Sequence, residues 1–178
     1  MQIRPMVQSD AAAVARIHVA SWHQTYQNLL PASVIEQHSY DQRLQLWQQI
    51  YQQAGALVAI DASQEIVGFI TGGAQHTAAL QPTAPGEIYA IYLDPRQQKH
   101  GVGRLLWQAK LQQLRQQQLL PLTVTCLATN RQALGFYHHL GGVDFKNGSY
   151  QTAGQNFATK ILIFREKKAG PKVHSVLK

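Results

Sequence analysis

Residues Glu87 to Leu106 read EIYAIYLDPRQQKHGVGRLL. The first half, Glu87-Ile-Tyr-Ala-Ile-Tyr-Leu93, is rich in β-formers and predicts a strand, which Asp94-Pro95 closes because the residue before a proline is driven out of the helical region. The second half opens a helix, with Val102, Leu105, Leu106, Ala109 and Leu114 near one face as far as Gln118. Between the two stand Gly101 and Gly103. Such glycines allow a positive φ or a close backbone approach, and the first turn of the following helix directs unpaired N–H groups and a partial positive charge outward. That end suits phosphate. The motif is not a P-loop, and it fails G-x-G-x-x-G because Leu106 stands where the third glycine belongs. On these residues alone, a tight turn and a phosphate cradle both stand.

Elements on either side extend the alternation. Ile3 to Val7 predicts a strand, and Ser9 is placed to cap a helix carrying Val14, Ile17 and Trp22. A second helical region follows Pro31, broken near Ser39, with Val34, Ile35, Leu44, Trp47 and Ile50 as its apolar positions. Ala56–Ile60 and Ile66–Thr71, separated by Asp61-Ala-Ser-Gln-Glu65, read as a hairpin. Gln75 to Gly86, with Pro82 and Pro85, is a loop. Beyond Pro121, Leu122–Leu127 is a strand, and Asn130 opens a helix bearing Ala133, Phe136, Tyr137 and Leu140 that Gly141-Gly142 stops. Val143–Tyr150 and Phe157–Phe164 finish as an antiparallel pair. The order predicts one α/β domain on a mixed sheet.

Composition narrows the function class. At 178 residues the chain fits one domain. Cys126 is alone and forms no internal disulfide, the start MQIRPMVQSD lacks an apolar signal core, and no apolar run is long enough to span a membrane, so a cytoplasmic protein is expected. The net charge of +7 invites a nucleic-acid reading. More than half of it, however, lies at the end, where Arg165, Lys167, Lys168, Lys172 and Lys178 face only Glu166. Residues 167–178 are therefore expected to be a basic tail on a domain of residues 1–166, and nucleic acid is a minor option.

Two motifs carry a family resemblance. QKHGVGRLL resembles the Q/R-x-x-G-x-G/A signature of the GNAT superfamily of acyl-CoA-dependent N-acyltransferases, and Asn130-Arg-Gln-Ala-Leu-Gly-Phe-Tyr137-His-His-Leu-Gly-Gly142 resembles that family's N-x-x-A-x-x-F-Y helix. His100 departs from the Arg or Lys that the family often carries there. The resemblance extends over most of the chain and implies a mostly antiparallel central sheet flanked by helices. It implies acetyl-CoA as co-substrate, with Gln98, Lys99, His100, Gly101, Val102, Gly103 and Arg104 around the diphosphate and Asn130 on the pantetheine arm. Ile91 would line the acetyl site, and the N–H of Leu93 would polarise the thioester carbonyl. Paired subunits are common among family relatives, which leaves a homodimer open.

The chemistry of amine acylation assigns the remaining roles. An alkylammonium must lose a proton before it attacks a thioester, and in this acid-poor chain Glu87 is the best-placed carboxylate. It matches a position where family members carry a base, directly or through water; the alternative is an ordinary strand-edge glutamate. Asp94 is expected to cap a turn. By the same resemblance Tyr137 donates a proton to the leaving sulfur, with a core aromatic as the alternative. Trp22 and Tyr26, four apart on the first helix, are candidates for the acceptor wall or for the core. His138 and His139 have no ligand cluster around them, so no metal is expected. The expected activity is acetyl transfer to a primary amine of a small molecule, by direct attack in a ternary complex. A protein N-terminus or lysine as acceptor and a non-catalytic acyl-CoA sensor remain alternatives. The branch acting on ribosomal-protein N-termini typically has a glutamate where this chain has Thr125.

Overall fold

A computed structural model describes residues 1–166. The basic tail expected at 167–178 lies outside the described residues. The chain forms β1 (Gln2–Pro5), α1 (Ala11–Tyr26), α2 (Ala32–Ile35), α3 (Tyr40–Ile50), β2 (Leu57–Ile60), β3 (Ile66–Ala74), β4 (Gly86–Leu93), α4 (Val102–Gln116), β5 (Leu122–Leu127), α5 (Arg131–His139), β6 (Val143–Thr152) and β7 (Gln155–Phe164). One seven-stranded sheet runs β1-β2-β3-β4-β5-β7-β6. All its pairings are antiparallel except β4 with β5.

Helices cover both faces, so the central strands are apolar on both sides. The alternation in β2 shows this directly. Leu57 and Ala59 join the core beneath α4 and α5, with Ile70, Leu106, Trp107 and Leu162. Val58 and Ile60 join the core beneath α1 and α3, with Val14, Trp47 and Phe69. No helix among the described residues is long and apolar enough to cross a membrane.

Local chemistry sets the boundaries. Ser39 opens α3 through a reciprocal capping box with Gln42, and the Asp61 carboxylate accepts from the N–H groups of Ser63 and Glu65 to turn β2 into β3. The expected Ser9 cap is not formed. Ser9 sits inside a single 3₁₀ turn, and Asp10 precedes the helix, accepting from Val7 N–H at 2.8 Å and from both Arg4 terminal nitrogens at 2.6 and 2.9 Å. The first strand accordingly ends at Pro5 rather than Val7. Asp94 caps the turn at Pro95–Gln97, accepting from Arg96 N–H at 2.9 Å, as its place before a proline suggests.

Candidate active site

The parallel pairing of β4 and β5 is short. It holds Gly86 to Leu122, Glu87 to Thr123 and Ile88 to Val124, and then stops. At that point the β3–β4 register jumps from Thr71 opposite Ala90 to Gly72 opposite Ile88, leaving Tyr89 as the extra residue of a bulge. A bulge bends its strand and ends regular pairing. Past it the two strands part, and a cavity of about 540 Å³ opens through the sheet, from Ser21 and Tyr26 of α1 on one face to Phe136 and Tyr137 of α5 on the other.

Main-chain donors face this gap. Asp94 N–H donates to Val67 O at 2.8 Å, toward β3. Alternation along an extended strand therefore turns the N–H groups of Leu93 and Ile91 the other way, toward β5, where no strand pairs with them. The hydroxyl of Ser21 donates to Leu93 O from α1, fixing this end of β4.

A second set of donors lies at the mouth. Gly101 has φ +83° and Lys99 φ +63°, so the chain reverses sharply before α4. The first bond of the helix end runs from Leu105 N–H to Gly101 O at 3.2 Å, which leaves the N–H groups of Val102, Gly103 and Arg104 directed out of the helix. A Cβ on Gly103 would lie 3.3 Å from Phe136 and 3.5 Å from Leu93, so the glycine lets α4 seat close to both. The Gln98 side chain ties the loop to its neighbours, donating to Gln24 Oε1 at 3.4 Å and accepting from Gln132 at 3.2 Å. Gln98, Lys99, Gly101, Gly103 and Arg104 line the cavity. His100 is exposed, and the Val102 side chain is buried in the core.

On the α5 side, Asn130 caps its helix by accepting from Ala133 N–H at 3.0 Å and lines the cavity as well. Tyr137, the buried residue of α5, packs near Trp107 and Phe136, and burial pushes its phenol above the ordinary tyrosine range. Its proton is firmly held. Cys126 also lines the cavity, and burial, with the Asp144 charge, pushes its thiol up to about 11.

The remaining candidates divide. Ile91, Leu93 and Tyr26 line the cavity; Glu87 and Trp22 do not. The Glu87 carboxylate accepts from His76 N–H at 3.1 Å, just beyond Tyr89, whose ring stacks on His76 at 4.2 Å. Trp22 lies behind Tyr26, with ring centroids 4.3 Å apart, and stacks on His38 at 3.8 Å. Sequence reasoning passed over Tyr92, Cys126 and Phe136 as cavity residues. Tyr92 was hidden because simple alternation gives it the sheet face opposite Ile91 and Leu93; only the parting of the strands brings both faces to one opening.

The chain matches the profile of the Acetyltransferase (GNAT) family over residues 19–141. It is 31% identical over 104 residues to an uncharacterized N-acetyltransferase, YuaI, of Bacillus subtilis (strain 168), covering 58% of each chain. It is 29% identical over 133 residues to the mycothiol acetyltransferase of Saccharopolyspora erythraea, a match covering 74% of this chain and 39% of that one. The chain thus spans 58% and 39% of the lengths of these curated relatives. Among solved structures, yncA of Salmonella typhimurium, described as a putative acetyltransferase with its cofactor acetyl-CoA, superposes with a TM-score of 0.70 at 20% identity, covering 97% of this chain and 98% of that one.

Proposed function

The chain belongs to the acetyltransferase (GNAT) family, and from that premise we propose that residues 1–166 form an acetyl-CoA-dependent N-acetyltransferase domain acting on a primary amine of a small molecule. One observation carries the reading: two sets of outward main-chain donors and a protonated phenol share a single cavity. The donors at Val102, Gly103 and Arg104 suit the diphosphate of coenzyme A, with Gln98, Lys99 and His100 around it and Asn130 along the pantetheine arm. Inside the gap, the N–H of Leu93, with Ile91 beside it, suits a thioester oxygen on which charge develops.

In this reading the neutral amine attacks the carbonyl carbon, the C–N bond forms, and the C–S bond breaks. Tyr137 gives its proton to the departing sulfur. Glu87, outside the wall beyond Tyr89, takes the ammonium proton through water, while Tyr26 and, behind it, Trp22 shape the acceptor side. Direct transfer is favoured over an acyl-enzyme because the cysteine on the cavity keeps its proton at neutral pH and is a poor nucleophile.

Binding of acetyl-CoA by calorimetry, followed by coenzyme A release over a panel of polyamines, amino acids, aminoglycosides and peptides, tests the proposal. Heat and amine-dependent thiol release are expected, with Glu87→Gln slowing turnover roughly tenfold or more and leaving acetyl-CoA affinity intact. Heat without release from any amine would favour a sensor; peptides outpacing every small amine would move the acceptor to a protein. No heat at millimolar acetyl-CoA would end the proposal.

A further inference from the structure

Three tyrosines line the α1/α3 side of the cavity: Tyr26 from α1, and Tyr89 and Tyr92 from β4. Their shared face follows from the strand. Ile88, Ile91 and Leu93 pack with the core beneath α4 and α5, and Tyr92 packs with the opposite core. Tyr89, next to Ile88 at the bulge, takes that opposite side as well.

Each tyrosine is backed by another ring. Tyr26 packs on Trp22, Trp22 stacks on His38 at 3.8 Å, His38 stands 6.3 Å from His18, and His18 stacks on Tyr92 at 4.9 Å. Trp47 Nε1–H donates to His18 Nδ1 at 3.2 Å and holds that ring in turn. Tyr89 stacks on His76 with an interplanar angle of 10°, and its hydroxyl donates to Ala74 O at 2.6 Å. A wall braced from behind loses little freedom when a ligand settles on it.

Charge separates the possible occupants. Among the described residues no Asp or Glu lines the cavity, and the carboxylate of Glu87 is turned to His76 N–H outside it. A second ammonium on the acceptor would be desolvated without a counter-charge. Lys99 and Arg104 do line the cavity, but at the glycine turn, where the acetyl-transfer reading places the diphosphate. An acceptor carboxylate on the tyrosine side would therefore stand unpaired. Two of the hydroxyls here are already engaged inside the protein, Ser21 with Leu93 O and Tyr89 with Ala74 O. What this side offers is chiefly ring surface, and aromatic faces prefer offset or edge contacts with another ring.

We propose that Tyr26, Tyr89 and Tyr92 seat an aromatic ring carried by the acceptor, so that the amine to be acetylated is an arylalkyl monoamine with no second charge. This rests on the acetyl-transfer reading of the same cavity. The ring lies against the tyrosines, and a short alkyl arm presents the amine to the gap between β4 and β5.

The test uses the full chain and adds four amines to the panel: 2-phenylethylamine, butylamine, butane-1,4-diamine and phenylalanine. The aryl amine should exceed each of the other three in kcat/KM by about tenfold or more, the scale of burying a ring against aromatic neighbours or of leaving a buried charge unpaired. Tyr26→Leu should lower its advantage over butylamine at least about threefold, through KM, with acetyl-CoA affinity by calorimetry held within about twofold. Thr25→Glu, which sets a carboxylate on the cavity, should raise the diamine relative to the aryl amine by about tenfold. Butylamine, the diamine or phenylalanine matching the aryl amine in the wild type would overturn the proposal, as would ratios untouched by both substitutions. If Tyr26→Leu does not fold, the wild-type ratios and Thr25→Glu decide it. If no amine is acetylated at all, the acetyl-transfer reading fails separately, and melting shifts with the same four amines decide the wall: a larger shift with the aryl amine supports it, and equal shifts overturn it.

Discussion

The two faces of the cavity are built from different materials. On the α4/α5 face the candidate groups are mostly main chain: three amides at the end of α4, the N–H groups of Ile91 and Leu93, and one phenol. On the α1/α3 face they are side chains, a ring of tyrosine, tryptophan and histidine. A main-chain site suits a ligand that never changes, because backbone donors survive substitution of the side chains they carry. A side-chain site suits a ligand that differs from one protein to another. On the proposed function, the first face would hold the shared co-substrate and the second the distinguishing acceptor.

The largest expected effect breaks the first face at its phenol. Tyr137→Phe removes a proton donor and keeps the ring between Trp107 and Phe136, so kcat should fall about 100-fold while the KM for acetyl-CoA moves by about twofold or less. Initial rates of coenzyme A release measure both. A kcat within about threefold of wild type would make Tyr137 a core aromatic and leave this face without a side-chain acid.

The same contrast explains what could be read in advance. Gly101 and Gly103 announce a special backbone in a one-dimensional string, and Asn130 with Tyr137 announces a capped helix at a fixed spacing, so the strand, loop and helix of this face were legible. The order of elements along the chain followed from apolar runs and turn residues, because the central strands are buried on both faces and had to be apolar, whereas the order of strands within the sheet was not read from the sequence. The aromatic ring on the α1/α3 face was not legible. Its members come from α1, the segment before α3, α3 itself and β4, and no local period links them. Trp22 offered only a helical partner, Tyr26, and no motif or spacing singled out His38. Ser9 was a smaller miss of the same origin: a serine before a helix is a fair cap until Arg4, from the preceding strand, claims the neighbouring Asp10.

A smaller effect should follow at Gly101. With φ +83° and no atom within 4 Å of a built Cβ, the position has space but a backbone that L-residues avoid. Gly101→Val should therefore act through conformation, at roughly 1–2 kcal/mol for the left-handed region, and the turn would relax and carry the α4 amides out of line. Acetyl-CoA affinity by calorimetry should fall about tenfold. Gly135→Ala is the control. It too has nothing within 4 Å, but it lies inside α5 without a positive φ, so it should gain about 0.5–1 kcal/mol of stability and bind as before. Equal affinity in both variants would mean that the glycine turn is no cradle.

Acid should distinguish the faces most gently, because both strongly lowered histidines sit in the aromatic ring of the α1/α3 face. The folded-state values, about 3 for His18 and about 4 for His38, lie below the ordinary 6.5. Between those limits the unfolded chain binds more protons than the folded one, so stability is complete above about pH 6.5 and falls as pH drops. The slope for a fully enclosed imidazole approaches about 1.4 kcal/mol per pH unit. His18, stacked on Tyr92 and bonded to Trp47, should approach it more closely than the half-buried His38, giving about 1 kcal/mol per unit from His18 between pH 6 and 4.5. Asp10 and Asp94, whose values are lowered by Arg4 and Arg96, lose their stabilisation only below the usual carboxylate range and leave that window clear. Melts from pH 7 to 4.5 measure the slope, and His18→Gln should flatten most of it. Because the protons are taken up on the α1/α3 face, KM for the acceptor should rise with acid before acetyl-CoA affinity changes; a parallel loss of both would mean that the two faces open as one.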